Sequence, residues 1–249
     1  MNMTLRERIV EKVDFIINSP FEVADVSFVP DISNPKLTFG NTGLRFDATV
    51  LYIDMRGSTA ILNKHNKDTI AKIHMAYFHT IVNIAKALGG EIRSFNGDSM
   101  LAFFLRTAQE PVTNAVQAAM QMKYMIADPR SGINTILSKY SAIDFGIGID
   151  CGKIVCTKVG VGGKGDNKDL MWVGNAVNKA TVLSDKCKAP HNIGISDAVF
   201  QKLPQNWSSV NRRDTWGRMQ EGNIWTMEQI EYNKRHELCY LTHCCFTLE

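Results

Sequence analysis

The sequence predicts an α+β fold: a mainly antiparallel sheet with helices packed on it. Strand-like and helical segments alternate along the chain, and two pairs of successive strands are joined by short connections instead of helices. Short connections produce antiparallel pairs, whereas a doubly wound parallel sheet needs a long crossover between strands. The chain is 45% hydrophobic and 21% charged, a globular composition that excludes a disordered chain.

The first half of the chain carries clear periodic patterns. They predict a helix over 5–17, a buried strand over 48–53, a long amphipathic helix over 70–88, and strands over 91–95 and 100–104. Ser19-Pro20 ends the first helix, and an irregular connection rich in Pro, Asn and Gly follows it. Asn96-Gly97 between the last two strands is a strong hairpin signal.

The second half continues the alternation. It predicts a helix over 112–127 after Pro111, a strand over 143–149, a partner strand over 154–159, a flexible tip over 160–165, a helix over 175–186 and a strand over 193–195. Ser196 caps a last short helix that runs to Leu203. We therefore expect three regions: an N-terminal helix and connection (1–44), a main domain (45–205) and a C-terminal tail (206–249).

Charge and hydropathy limit the partners. The net charge is 28 − 25 = +3, too small for a strong phosphate-backbone footprint, so we expect no nucleic-acid binding. No run of about 18 apolar residues exists, so we expect no membrane span. The N-terminus lacks an apolar secretory core, which indicates a cytoplasmic protein.

Two aspartates stand where strands end. Asp54 follows the buried strand 48–53, and Asp98 lies in the hairpin turn. If the hairpin lies beside that strand, the two carboxylates meet, and without a cationic neighbour they call for a divalent cation. The loop Gly57-Ser58-Thr59 precedes a helix and suits a phosphate. Asp54 could instead be a helix N-cap, and Asp98 an ordinary turn aspartate.

Four segments, in order, resemble the motifs of class III nucleotidyl cyclases. They are residues 52–59, 95–104, 145–152 and 173–180. Each is weak alone, but the ordered set is specific and spans about residues 46–200. The resemblance implies the class III cyclase-type fold, a ferredoxin-like βαββαβ arrangement.

The resemblance also implies the chemistry. Asp54 and Asp98, assisted by the Met55 carbonyl, would hold two Mn²⁺ or Mg²⁺ ions per active site. The ribose 3′-hydroxyl would attack the α-phosphate, and Asn178 would stabilise the transition state. In this family the metal carboxylates and the asparagine come from different subunits, which implies a homodimer with sites at the interface.

Two cationic positions of the family are empty. The transition-state arginine falls at Val182, and a central-strand arginine falls at Gly146. The candidate substitutes are Arg56, Arg93, Lys186, Arg212 and Arg213.

The base-reading positions also depart from the family. Ser94 and Met171 match neither the adenine nor the guanine pair, while Tyr52 and Arg93 offer donors suited to the oxygen-rich edge of uracil. These features are similar to the Pycsar pyrimidine cyclases of bacterial antiphage defence, whose cyclic nucleotide acts on a separate effector protein. UTP is the favoured substrate. A cytidylate or adenylate cyclase, or a catalytically silent cyclase-fold dimerisation module, is the alternative.

Overall fold

The computed structural model of the chain describes residues 3–106, 110–160, 167–213 and 219–248. Most of the tip predicted over 160–165 therefore lies outside the described residues. The chain divides into two compact units. The smaller contains Met1–Phe46 and Lys153–Gly174, and the larger contains Asp47–Gly152 and Asn175–Glu249.

Seven α-helices and eleven strands are assigned within the described residues. The helices are α1 Leu5–Asn18, α2 Ser58–Leu62, α3 Lys67–Ala87, α4 Pro111–Ala127, α5 Ile133–Ser138, α6 Asn175–Lys186 and α7 Asp197–Phe200. The strands are β1 Glu22–Asp25, β2 Thr42–Arg56, β3 Glu91–Asn96, β4 Ser99–Leu105, β5 Asp144–Gly160, β6 Lys168–Val173, β7 Ile193–Ser196, β8 Ser209–Arg213, β9 Met219–Asn223, β10 Thr226–Tyr232 and β11 Arg235–Thr242.

The larger unit is built on a sheet of order β10-β11-β7-β5-β2-β4-β3. The β10–β11, β11–β7, β2–β4 and β3–β4 pairs are antiparallel, and β5–β7 is parallel. The α+β class III cyclase-type fold predicted from the sequence is confirmed. No helix of the described residues combines the length and the apolar character that a membrane crossing requires.

Side chains along β2 alternate between the buried core face of the sheet and the face that carries the candidate site. Leu51, Ile53 and Met55 are buried in the main hydrophobic cluster together with residues of α3 and α4. The residues between them point to the opposite face of the sheet, because successive side chains of a strand alternate. Tyr52, Asp54 and Arg56 are consequently only partly buried, and this face carries the candidate site.

Helix α6 approaches β5 so closely that only glycine fits beneath it. A Cβ atom at Gly148 would stand 1.9 Å from the Ala180 carbonyl oxygen, and one at Gly146 would stand 2.2 Å from the Ser184 carbonyl oxygen. Both distances are far below van der Waals contact. The two glycines therefore let the α6 backbone lie directly on the sheet.

The smaller unit contains the outer ends of the two longest strands. β1 pairs in parallel with the start of β2, and β6 pairs antiparallel with the end of β5. Arg45 and Asp25 form a two-bond ion pair across β1 and β2. Helix α1 begins with a capping box at Thr4, and none of its side chains is buried.

Two features of the sheet differ from the prediction. The strands predicted over 143–149 and 154–159 are one continuous strand, β5, so the second predicted hairpin is wrong. Asp150, between the two predicted strands, is only 3% exposed, and its carboxylate accepts a hydrogen bond from the Ser196 hydroxyl. That bond gives the buried carboxylate a partner inside the continuous strand. The region 206–249 is also more regular than a tail, because β10 and β11 join the main sheet.

Candidate active site

The pairing of β2 with β4 brings the two aspartates together. Asp54 lies directly opposite Ser99 in the antiparallel register, and Asp98 immediately precedes Ser99. Gly97 and Asp98 form the two-residue turn between β3 and β4, with Gly97 at φ 62°, a conformation that glycine adopts without steric cost. The hairpin predicted from Asn96-Gly97 therefore places its aspartate beside the end of β2.

Burial and the second carboxylate act on Asp54 in the same direction. Burial raises the pKa of Asp54, the negative charge of Asp98 raises it further, and a hydrogen bond between the two carboxyl groups adds to the effect. The Arg56 guanidinium opposes these effects and lowers the pKa of Asp54. The pair thus carries unfavourable charge repulsion that one arginine offsets only in part.

The donor set fits a divalent cation. Carboxylate oxygens are the ligands that Mg²⁺ and Mn²⁺ prefer, and a cation between Asp54 and Asp98 would remove their repulsion. Within the described ranges no group of three or more His, Cys, Asp or Glu side chains is arranged to hold a metal ion. Two carboxylates alone leave coordination positions for backbone carbonyls, water and substrate oxygens.

Arg56 ties the end of β2 to the end of α6. Its Nη1 donates to Asp54 Oδ2 at 2.8 Å, its Nε donates to the Cys187 carbonyl at 3.2 Å, and its Nη2 donates to the Ser184 carbonyl. The side chains of Arg56 and Asp54 are 23% and 22% exposed. Arg56 Nη2 lies 2.6 Å from the point where a Cβ atom of Gly146 would be, so Arg56 fills the space in which a central-strand side chain would begin.

The loop after Arg56 exposes backbone donors. Gly57 adopts φ 69° and precedes α2, which has no side-chain cap at its N-terminus. The first N–H groups of a helix have no acceptor within the helix, so those of Ser58 and Thr59 are free of intrahelical bonds. These N–H groups lie in the segment 57–59, whose phosphate-binding role stays a prediction.

Two of the predicted base-reading residues share one row of the sheet. Tyr52 of β2 and Ser94 of β3 both pair with Leu101 of β4, from opposite sides, so their side chains lie on one face. The Tyr52 hydroxyl is hydrogen-bonded to Ser99. Burial nevertheless raises the pKa of Tyr52, so the hydroxyl remains a donor at neutral pH.

The other two predicted base-reading residues are Arg93 of β3 and Met171 of β6. Arg93 stands at a register shift in β3 and forms an ion pair with Glu91 at 2.9 Å. Met171 of β6 belongs to the smaller unit, where it pairs with Thr157 of β5 and is 45% exposed.

Asn178 is not hydrogen-bonded to either carboxylate. It is exposed on α6, and its side chain makes no hydrogen bond within the part of the chain that the structure describes. It lies six positions before Ser184, which places the two residues about 120° apart around the helix axis. Asn178 is therefore available to a second molecule.

The remaining cationic candidates are engaged or lie outside the description. Lys186 forms a 2.7 Å ion pair with Glu228. Arg212 and Arg213 are on β8, and their side chains are outside the described part of the chain.

Two residues near Arg56 were not predicted from the sequence, Ser184 and Asp185. Asp185 lies 3.7 Å from Arg56, and its negative charge raises the pKa of Asp54. Both belong to helix α6, and the sequence around them contains no pattern that would indicate a role at the site.

The sequence and the fold of this chain are similar to those of known cyclases. Residues 45–227 match the family model described as "Adenylate and Guanylate cyclase catalytic domain". A protein of Xanthomonas perforans named "Uridylate cyclase" is 28% identical over 86% of this chain and 90% of its own length. A "Uridylate cyclase" of Burkholderia cepacia is 27% identical over 90% of this chain and 96% of its own. The crystal structure of the guanylyl cyclase Cya2 superposes with a TM-score of 0.63 at 18% identity, over 81% of this chain and 94% of that one.

Arg56 should contribute more to stability than an exposed arginine that also pairs with an aspartate. We expect Arg56→Ala to lower the free energy of unfolding by about 2–4 kcal/mol, because it removes a charged donor from the Ser184 and Cys187 carbonyls and leaves Asp54 without its ion-pair partner. Arg106, 77% exposed and paired with Asp47, is the matched control, for which we expect about 0–1 kcal/mol. Urea unfolding of the metal-free proteins measures both, and equal losses would contradict the structural role of Arg56.

Proposed function

This chain belongs to the adenylate and guanylate cyclase catalytic domain family and is a nucleotidyl cyclase, and we propose that it converts UTP to 3′,5′-cyclic UMP and pyrophosphate. The observation that carries the proposal is the meeting of Asp54 and Asp98 beside a loop of free backbone donors. Residues 45–205 would form the catalytic domain, flanked by the N-terminal region 1–44 and the C-terminal region 206–249.

The metal ligands would be the carboxylates of Asp54 and Asp98 and the carbonyl of Met55. Two Mn²⁺ or Mg²⁺ ions bound there would lower the pKa of the ribose 3′-hydroxyl and neutralise the triphosphate. The chain itself binds and orients the substrate. The backbone of Gly57, Ser58 and Thr59 would hold phosphate oxygens, and Arg56 keeps Asp54 in place.

The reaction is a phosphoryl transfer within one molecule. The 3′-oxygen forms a bond to the α-phosphorus, the bond from that phosphorus to the bridging oxygen breaks, and pyrophosphate leaves with the electron pair. The hydroxyl proton passes to water. Most of the catalysis then comes from positioning and from stabilisation of charge, and Asn178 would contribute a hydrogen bond in the transition state.

The preference for UTP is supported by the side chains that could face the base. Ser94 and Met171 offer neither the lysine–aspartate pair that reads adenine nor the glutamate usual for guanine. Tyr52 places a protonated hydroxyl on the same face as Ser94, and such a donor suits a uracil carbonyl. The names of the relatives from Xanthomonas perforans and Burkholderia cepacia point the same way. CTP and ATP are the substrates against which this choice must be tested.

Asn178 would act on the site of a second copy of the chain. It is exposed on α6 and its side chain has no hydrogen-bond partner within the described residues, so it can complete the carboxylate site of a neighbour. A symmetric homodimer would then contain two sites at its interface. We further propose that the protein is cytoplasmic and that its product is a second messenger in antiphage defence, acting on a separate effector protein.

Substrate choice can be measured directly. We expect the protein, incubated with Mn²⁺ and each of the four nucleoside triphosphates, to produce cyclic UMP from UTP as its main product, identified by mass. Another cyclic nucleotide as the main product would correct the substrate but keep the reaction. No cyclic product from any of the four would contradict the proposed activity.

The two aspartates should be indispensable for that turnover. Asp54→Ala and Asp98→Ala should each lower kcat at least about 10³-fold, because each removes several kcal/mol of charge stabilisation at the metal site. Asp14→Ala, which removes an exposed carboxylate of α1 bonded to Asn18, is the control and should keep full activity. Near-parent turnover in either site variant would show that the metal assignment is wrong.

A site shared between two subunits predicts complementation. Asp54→Ala and Asn178→Ala should each be inactive, but their mixture should regain roughly a quarter of the parent rate. Random association makes half of the dimers mixed, and each mixed dimer contains one intact site. A mixture of Asp54→Ala with Asp98→Ala is the control and should stay inactive, because both changes affect the same half of the site. An equally inactive first mixture would contradict the shared site.

A further inference from the structure

A cavity lies against the Arg56–Gly57 end of β2. Its volume is about 480 Å³, and its walls come from α2, from the segment after α2 and from the segment between α5 and β5. The side chains of Lys64, His65, Ser138, Tyr140 and Ser141 line it. His65 Nε2 lies 3.2 Å from Ser141 Oγ, which joins the two walls. The cavity thus offers several hydrogen-bonding groups next to the loop that precedes α2.

Lys64 carries a positive charge that no described residue offsets. It is exposed and forms no ion pair or hydrogen bond through its side chain within the described residues. Arg56 also lines the cavity, but its guanidinium is committed to Asp54 and to two helix carbonyls. The acidic residue on the wall, Asp144, accepts hydrogen bonds from the Phe145 and Ala189 N–H groups and from Asn192. Lys64 is therefore the available charge on this wall.

The fold explains why such a charge would be needed here. A triphosphate carries several negative charges. On the central strand β5, the position from which a cationic side chain could neutralise them is Gly146. A side chain there is excluded, because its Cβ atom would collide with the Ser184 carbonyl, with Arg56 and with the Cys187 carbonyl. A cationic side chain for the phosphates therefore cannot come from this position, whereas Lys64 lies on the wall of the cavity that Arg56 also lines.

We propose that this cavity receives the terminal phosphates of the substrate and then the pyrophosphate, with Lys64 as the binding cation and His65 and Ser141 as hydrogen-bonding partners. The inference rests on the proposed cyclase function, and it adds a phosphate-binding residue to it. An ammonium group on a flexible stem suits this task, because it binds phosphate as a point charge without a fixed geometry.

The experiment measures pyrophosphate binding apart from turnover. Calorimetry with inorganic pyrophosphate and Mg²⁺ compares the parent protein with Lys64→Ala, Lys64→Arg and Lys72→Ala. Lys72 is an exposed lysine of α3 outside the cavity and serves as the matched control. We expect Lys64→Ala to weaken pyrophosphate binding about tenfold, the loss of one charge-assisted bond at a partly exposed site. Lys64→Arg and Lys72→Ala should bind like the parent.

Kinetics supply a second readout that a merely structural role would not produce. Lys64→Ala should raise KM for the nucleotide about tenfold and weaken inhibition by pyrophosphate equally, while inhibition by the cyclic nucleotide stays unchanged, because that product has no terminal phosphates. Pyrophosphate binding by Lys64→Ala as tight as by Lys72→Ala would overturn the proposal. If the parent cyclises no nucleotide but binds pyrophosphate through Lys64, the proposed function fails and the anion site stands.

Discussion

The electrostatic repulsion between the Asp54 and Asp98 carboxylates is the main constraint at the end of β2. Antiparallel pairing of β2 with β4 forces Asp54 and the turn residue Asp98 together, and burial makes their negative charges more costly. The fold meets this cost only in part, through the single guanidinium of Arg56. A site that remains short of positive charge favours cations, and the proposed binding of metal and nucleotide rests on that deficit.

The helix that packs on β5 determines what else can reach the carboxylates. Gly146 and Gly148 let α6 lie on the sheet, and its last turn then presents the Ser184 and Cys187 carbonyls to Arg56. The same close approach removes the space for a cationic side chain on the central strand. It also leaves Asn178 on an exposed part of α6. The packing of α6 on β5 thus has three consequences. It helps to orient Asp54 through Arg56, it excludes a phosphate-binding side chain at Gly146, and it leaves Asn178 exposed.

Local patterns were enough to predict that Asp54 and Asp98 lie close together. The β-branched run before Asp54 and the Asn-Gly turn before Asp98 are short-range signals, and both strands form where they were expected. The partners of Arg56 lie about 130 residues away, so no local pattern could identify Ser184 or Cys187. Within the continuous strand β5, the buried Asp150 finds its partner Ser196 about 46 residues away, which the sequence around Asp150 does not indicate. Strands β10 and β11 carry many polar residues, which hid their place in the sheet.

The central claim is that Asp54 and Asp98 share bound cations. Anomalous scattering from a crystal grown with Mn²⁺ and 3′-deoxy-UTP, which lacks the attacking hydroxyl and so cannot cyclise, tests this claim most directly. The account predicts manganese peaks within bonding distance of oxygens from both carboxylates and of the phosphates. Nucleotide bound with no manganese between the two aspartates, or with manganese on neither of them, would contradict it.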